Sequence, residues 1–158
     1  MGIAGIQIDR KKLVGMVSEW DMVRQVRGRT GVKVSEAMVR KPIVVQETHS
    51  VSDVAKMLCV GGFRRLPVMN SGVLMGVVTP RDILRYLHSG GLLGKLPEQK
   101  FAVKRLLRAP PVTIESSRDV QEAAGIMISK KIGGLPVVDD NELVGIITER
   151  DIVDMLVA

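Results

Sequence analysis

Residues 34 to 89 align with residues 103 to 158 at a constant offset of 69, without a gap, and 14 of the 56 aligned pairs are identical. Among them are Pro42/Pro111, Val51/Val120, Ala55/Ala124, Leu66/Leu135, Pro67/Pro136, Val68/Val137, Gly76/Gly145, Thr79/Thr148, Arg81/Arg150, Asp82/Asp151 and Ile83/Ile152. A register held over that span marks two copies of one structural unit. A unit of about 56 residues hides too little of its apolar surface to be stable alone, so the copies are expected to pack on each other as a pseudo-two-fold pair. The chain of 158 residues then divides into an N-terminal segment (1–33), a first copy (34–90), a linker (91–102) and a second copy (103–158). Gly90, Gly91, Gly94 and Pro97 punctuate the linker.

Each copy reads as strand, helix, strand, strand, helix, which places the chain in the mixed α/β (α+β) class. Ile43-Val44-Val45, or Val112-Thr113-Ile114, is a β-branched run after a proline and suits a strand. Val51, Val54, Ala55 and Leu58, matched by Val120, Ala123, Ala124 and Met127, recur at helical spacing and define one apolar face. Ser50 with Asp53, and Asp119 with Glu122, stand where a capping pair would start that helix. Leu66–Met69 and Leu74–Val78 flank the turn Asn70-Ser71-Gly72 and predict a hairpin, with Asp139-Asp140-Asn141 as the second copy's turn. A last helix starts near Thr79 or Thr148, its apolar face drawn from Ile83, Leu84 and Leu87, or from Ile152, Val153 and Leu156.

A third echo precedes the repeats. Leu13 to Val23 lines up with Leu74 to Leu84, but nothing before it supplies the first strand and helix of the repeat. This half repeat reads equally as a plain strand and helix covering the core, as the remainder of a further copy, or as a segment completing a sheet in a partner chain.

All three echoes share a glycine, two apolar residues, Ser or Thr, two variable residues and Asp: Gly15 to Asp21, Gly76 to Asp82, Gly145 to Asp151. One reading is structural, because a hydroxyl at the N-cap and a carboxylate three residues later form a capping box. The other is functional. A hydroxyl and a carboxylate beside free helix N–H groups suit a ribose diol and its phosphate, and a glycine just before them admits a ligand close to the strand. Both can hold together.

At residues 34–158, the repeat length, the Leu-Pro-Val before each hairpin and the doubled Gly-x-x-Thr-x-x-Asp resemble the CBS domain, named after cystathionine beta-synthase and found as tandem pairs called Bateman modules. The resemblance implies β-α-β-β-α motifs associated through their sheets, with two clefts for adenosine ligands such as AMP, ADP, ATP or S-adenosylmethionine. It implies that Thr79 and Asp82 hold a ribose in one cleft and Thr148 and Asp151 in the other. By the same likeness Val112 and Thr113 line the base beside Asp82, and Ile43 and Val44 the base beside Asp151. Members similar to the gamma subunit of AMP-activated kinase carry His or Arg just before Leu-Pro. Here the first copy has Arg64-Arg65 and the second Gly133-Gly134, so the Asp82 cleft is expected to hold phosphate more tightly. Arg81 and Arg150, one residue before each Asp, are further phosphate candidates.

The implied role is a regulatory sensor of energy or metabolites that acts through an effector protein, with a homodimer joined by its last helices. The net charge of +6 concentrates in the first 90 residues, which suggests nucleic-acid binding as the alternative. Scarce aromatics, at 3%, argue against single-strand stacking. A single cysteine, Cys59, and two histidines, His49 and His88, offer no metal cage and no catalytic constellation; Cys59 is expected in the core. Trp20 occupies the position of Arg81 and Arg150 in the half repeat and is a candidate interface anchor. No apolar run is long enough for a membrane span or a secretion signal, which predicts a cytoplasmic protein.

Overall fold

A computed structural model describes residues 3–9, 12–89 and 101–158. The linker glycines and Pro97 lie outside the described residues, as do Arg10 and Lys11. The chain forms two compact units, one from residues 1–41, 113–139 and 144–158, the other from residues 42–112 and 140–143.

In the second unit the order is β4 (Val45–Gln46), α3 (Val51–Val60), β5 (Leu66–Asn70), β6 (Val73–Val78) and α4 (Pro80–Ser89). β4 runs parallel to β5, pairing Val45 with Val68, and β6 returns antiparallel with Val78 opposite Leu66. The hairpin turns at Ser71 and Gly72, whose φ values of 47° and 86° are the left-handed pair that matches strand twist. Val51, Val54, Ala55 and Leu58 of α3 are all buried with Leu66, Val68, Val78 and Ile83. Ser50 caps α3, its Oγ accepting from the Asp53 N–H at 3.0 Å and donating to Asp53 Oδ2 at 2.7 Å.

The first unit repeats the plan. The bridge of Ile114 to Val137 is parallel, and α5 (Val120–Lys130), β7 (Gly134–Asp139), β8 (Glu142–Thr148) and α6 (Glu149–Val157) follow. Val120, Ala123, Ala124 and Met127 are buried with Leu135, Val137, Ile147 and Ile152. The turn residues Asp140 and Asn141 take φ of 49° and 65°.

Several expectations need correction. The first strands are short: Ile43 and Val44 precede β4 and are exposed, while Val112 and Thr113 lie outside any strand and only Ile114 bridges. Main-chain pairing there is limited because each strand lies at a sheet edge, touching a single neighbour. Cys59 is exposed, since it follows Leu58 and sits one step of 100° off the buried stripe. Leu84 and Leu156 are also exposed, so only Ile83, and Ile152 with Val153, anchor the last helices fully. At α5, Asp119 caps through the Gln121 N–H, while Glu122 pairs with Arg118 at 3.4 Å.

The segment that leads into each copy packs on the other copy's helix and sheet. Residues 34–40, comprising α2 (Val34–Ala37) and β3 (Val39–Arg40), join the first unit: Val34 and Met38 are buried with Val120 and Ala123, and Val39 pairs with Ile146 of β8. The single-turn helix Val103–Leu106 joins the second unit, where Val103 and Leu106 are buried with Val51 and Val54. Backbone bonds fix both exchanges, Val34 N–H to Arg118 O at 2.8 Å and Val103 N–H to His49 O at 2.8 Å.

The half repeat splits in two. Its helix α1 (Glu19–Val23) packs on α6, with Val23 fully buried and Trp20 seated against the same core, so Trp20 is an internal anchor. Its hairpin, β1 (Ile3–Asp9) with β2 (Lys12–Ser18), forms a separate two-stranded sheet on which Leu13, Val14, Met16 and Val17 are exposed.

Candidate functional site

The three echoes fold into three near-identical helix starts. Ser18, Thr79 and Thr148 each end a strand or directly follow one, and the Asp three residues later turns back onto them. The Thr79 N–H and Oγ1 donate to Asp82 Oδ2 at 2.9 and 2.6 Å. The Thr148 N–H and Oγ1 donate to Asp151 Oδ2 at 2.7 Å each. The Ser18 pair with Asp21 matches, at 2.9 and 2.6 Å, and the Ser18 hydroxyl bond holds the Asp21 carboxyl below the usual carboxylate range. The full capping box closes at Ser18 and Thr148, whose hydroxyls accept from the Asp21 and Asp151 N–H at 3.3 and 3.4 Å, whereas the Asp82 N–H bonds the Thr79 carbonyl at 3.0 Å and the Asp82 carboxylate alone makes the return contact there.

The second carboxylate oxygen distinguishes the two complete copies. Asp82 Oδ1 accepts from Arg85 Nη1 at 3.1 Å. Asp151 Oδ1 has no hydrogen-bond partner among the described residues, because the position equivalent to Arg85 is Asp154. Thr79, Asp82, Thr148 and Asp151 are all half-buried, so each pair reaches solvent.

The other expected site residues are scattered. Arg64 is exposed and Arg65 half-buried, both just ahead of β5 in the unit that holds Asp82. Arg81 is exposed on α4. Arg150 is committed locally: its Nε lies 2.9 Å from Asp154 Oδ1 and its Nη1 3.8 Å from the buried Glu19, and the Asp154 carboxylate raises its pKa further. Its guanidinium is thus engaged within the chain, although the side chain stays 61% exposed. Ile43 and Val44 belong to a different compact unit from Asp151, and Thr113 to a different one from Asp82, while Val112 shares the Asp82 unit.

The role of the motif glycine also changes. A Cβ at Gly145 would collide with the Met38 side chain and come within 3.0 Å of Val39 O, and one at Gly76 would lie 2.8 Å from Leu107 Cδ2. Each of these two glycines makes room for an exchanged lead-in segment. Gly15, in the half repeat, meets nothing within 4 Å.

Sequence reasoning missed Asp119 as an organising group. Its buried carboxylate accepts from Gln121 N–H at 2.8 Å, Thr30 N–H at 3.1 Å, Thr30 Oγ1 at 2.8 Å and Gly31 N–H at 2.9 Å. The Gln121 bond leads these contacts in lowering its pKa to about 2. Similarly, Ser116 bonds Asp139 and lowers that carboxyl. The signal for Asp119 was present, as a capping Asp, but its partners are 88 and 89 residues away.

The model of the CBS domain matches residues 34–89 and 103–158. The chain is a CBS domain protein. Protein MJ1225 of Methanocaldococcus jannaschii is 30% identical over 96% of this chain and 58% of its own length, and its crystal structure superimposes with a TM-score of 0.76 over 94% of this chain and 56% of that one. The CBS pair of protein MJ0100, solved with 5-methylthioadenosine and S-adenosyl-L-methionine, is 27% identical with a TM-score of 0.68, covering 79% of this chain and 99% of that one. CBSX2 in complex with AMP is 29% identical with a TM-score of 0.69, covering 80% and 97%. This CBS pair spans a little over half the length of the MJ1225 protein and of a 33.4 kDa relative from Thermofilum pendens, at 58% and 54%. Among the described residues no helix is long and apolar enough to cross a membrane.

Proposed function

We propose that this CBS pair is a regulatory module that binds adenosine ligands through Asp82 and Asp151 and passes their occupancy to an effector protein as an energy or metabolite sensor. The observation that carries the reading is the pair of half-buried Thr–Asp helix starts, each holding a carboxylate beside helix N–H groups. Relatives that bind AMP, and 5-methylthioadenosine with S-adenosylmethionine, support the ligand class. Ile43, Val44, Val112 and Thr113 are exposed and so available to a base, and Arg81 is exposed where a phosphate could reach it, with Arg64 and Arg65 as the further phosphate candidates. Ligand binding would favour one geometry of the pair, and that differential affinity is the signal. The exposed Leu84 and Leu156 of the last helices suit a homodimer contact, which sedimentation of Leu84→Asp and Leu156→Asp variants would test.

The decisive experiment is a thermal shift against AMP, ADP, ATP, S-adenosylmethionine and NAD, repeated on Asp82→Ala and Asp151→Ala. A ligand bound only by the folded chain raises its melting temperature. A shift with at least one adenosine ligand, diminished in the variants, supports the reading. No shift with any of them overturns it.

A further inference from the structure

The two carboxylates differ in what they can still accept. An ionised carboxylate offers about four acceptor positions. At Asp82 three are taken, by Thr79 N–H, Thr79 Oγ1 and Arg85 Nη1. At Asp151 only Thr148 N–H and Thr148 Oγ1 are bound. A ribose presents two neighbouring hydroxyls, so it fits Asp151 as that residue stands, whereas at Asp82 the second hydroxyl requires Arg85 to leave.

We propose that Arg85 sets the ligand class of the Asp82 site, admitting anionic ribonucleotides and disfavouring uncharged ribonucleosides, while the Asp151 site accepts neutral or cationic adenosine derivatives. The proposal rests on adenosine binding at these two carboxylates as stated above. Displacing Arg85 breaks an ion pair whose side chains are 40% and 22% exposed. That loss is modest in such a setting, but a nucleoside returns nothing for it. A nucleotide does, because the released guanidinium stands beside the helix start that favours phosphate and can grip it with two parallel hydrogen bonds. At the other site the equivalent side chain is the Asp154 carboxylate, paired with Arg150 at 2.9 Å, which supplies no guanidinium in the place of Arg85. A phosphate therefore gains no released cation there, and the neutral ion pair tolerates the sulfonium of S-adenosylmethionine.

The test is calorimetry of the whole chain with AMP and with adenosine. Asp151→Ala isolates the Asp82 site, and Arg85→Ala and Arg85→Lys are made in that background. Asp151→Ala alone should bind AMP about tenfold more tightly than adenosine, as one charge-assisted contact predicts. Adding Arg85→Ala should strengthen adenosine about threefold, in line with a surface ion pair, and weaken AMP, so that the preference vanishes. Arg85→Lys keeps the charge without the fork and should fall between. Thermal melts of each variant verify the fold. An unchanged AMP-to-adenosine ratio in Arg85→Ala, or equal weakening of both ligands, overturns the role of Arg85 while leaving the sensor reading intact. Failure of the unmutated chain to bind any of AMP, ADP, ATP, adenosine, S-adenosylmethionine or NAD overturns the sensor reading itself, and this inference with it.

Discussion

The first and second copies share a backbone plan and differ in polar wiring. Both hairpins turn through a left-handed pair, both middle helices bury the same four positions, and both last helices begin with a Thr–Asp lock. Yet Asp82 is tied by Arg85 where Asp151 is open, Arg64-Arg65 stand where the second copy has two glycines, and the cap of the middle helix is a local Ser50 in one copy and the far-reaching Asp119 in the other. Duplication thus conserved what packs. It let the exposed oxygens and cations diverge, because a change there costs little stability.

The largest expected effects concern ligand. Asp151→Ala should lower affinity for S-adenosylmethionine or adenosine at its site by more than about tenfold, since two hydroxyls lose an ionised acceptor. Asp82→Ala should barely alter that titration and should instead remove AMP binding. Equal losses for both ligands in both variants, measured by calorimetry, would erase the distinction between the copies.

Next come the motif glycines. Gly145→Ala should destabilise the fold by about 1–3 kcal/mol, because the added carbon collides with the Met38 sulfur and also crowds the Val39 carbonyl at 3.0 Å, so side chain and backbone must both shift. Gly76→Ala should cost less, since the obstacle is the end of a Leu107 side chain. Gly15→Ala, facing open space, should be close to neutral. Urea denaturation of the three variants ranks them, and a different order would mean that the exchanged segments are looser than described.

The caps follow. Ser50→Ala should cost about 1 kcal/mol, the usual value of a lost N-cap. Asp119→Asn should cost more, because the same carboxylate also holds Thr30 and Gly31. Its pKa is depressed to about 2 from the ordinary 3.8 of an aspartate, so its stabilisation is fully present above about pH 4 and fades as pH falls through 2. The gap between wild-type and Asp119→Asn melting temperatures should therefore close on acidification. A gap that stays constant down to pH 2 would show that the ionised form is not what the fold needs.

The smallest effect belongs to the half repeat. Leu13→Ser or Met16→Ser on β2 should change stability by only a few tenths of a kcal/mol, because these side chains are already exposed. Val78, which aligns with the exposed Val17 of β2, is fully buried, so Val78→Ala should cost roughly 1–3 kcal/mol.

Much of this was legible in the residues. The offset of 69 gave the doubled plan, the spacing of Val51, Val54, Ala55 and Leu58 picked out the buried stripe, and Asn70-Ser71-Gly72 marked the turn, since each of these signals is local. The Thr–Asp locks were legible for the same reason. Cys59 and Leu84 were misplaced because a helical face has soft edges, and one residue of rotation decides exposure.

By itself the amino-acid order determined the copies, their hairpins, their helix faces and the capping geometry, all of which follow from neighbours within a few positions. Only the tertiary structure decided that each lead-in segment packs with the other copy, that the motif glycines make room for those segments, and that Arg85 rather than solvent occupies the second oxygen of Asp82. Such outcomes depend on which groups distant in the chain, or which of several side-chain rotamers, come within 3 Å of one another, and that is settled by packing rather than by pattern.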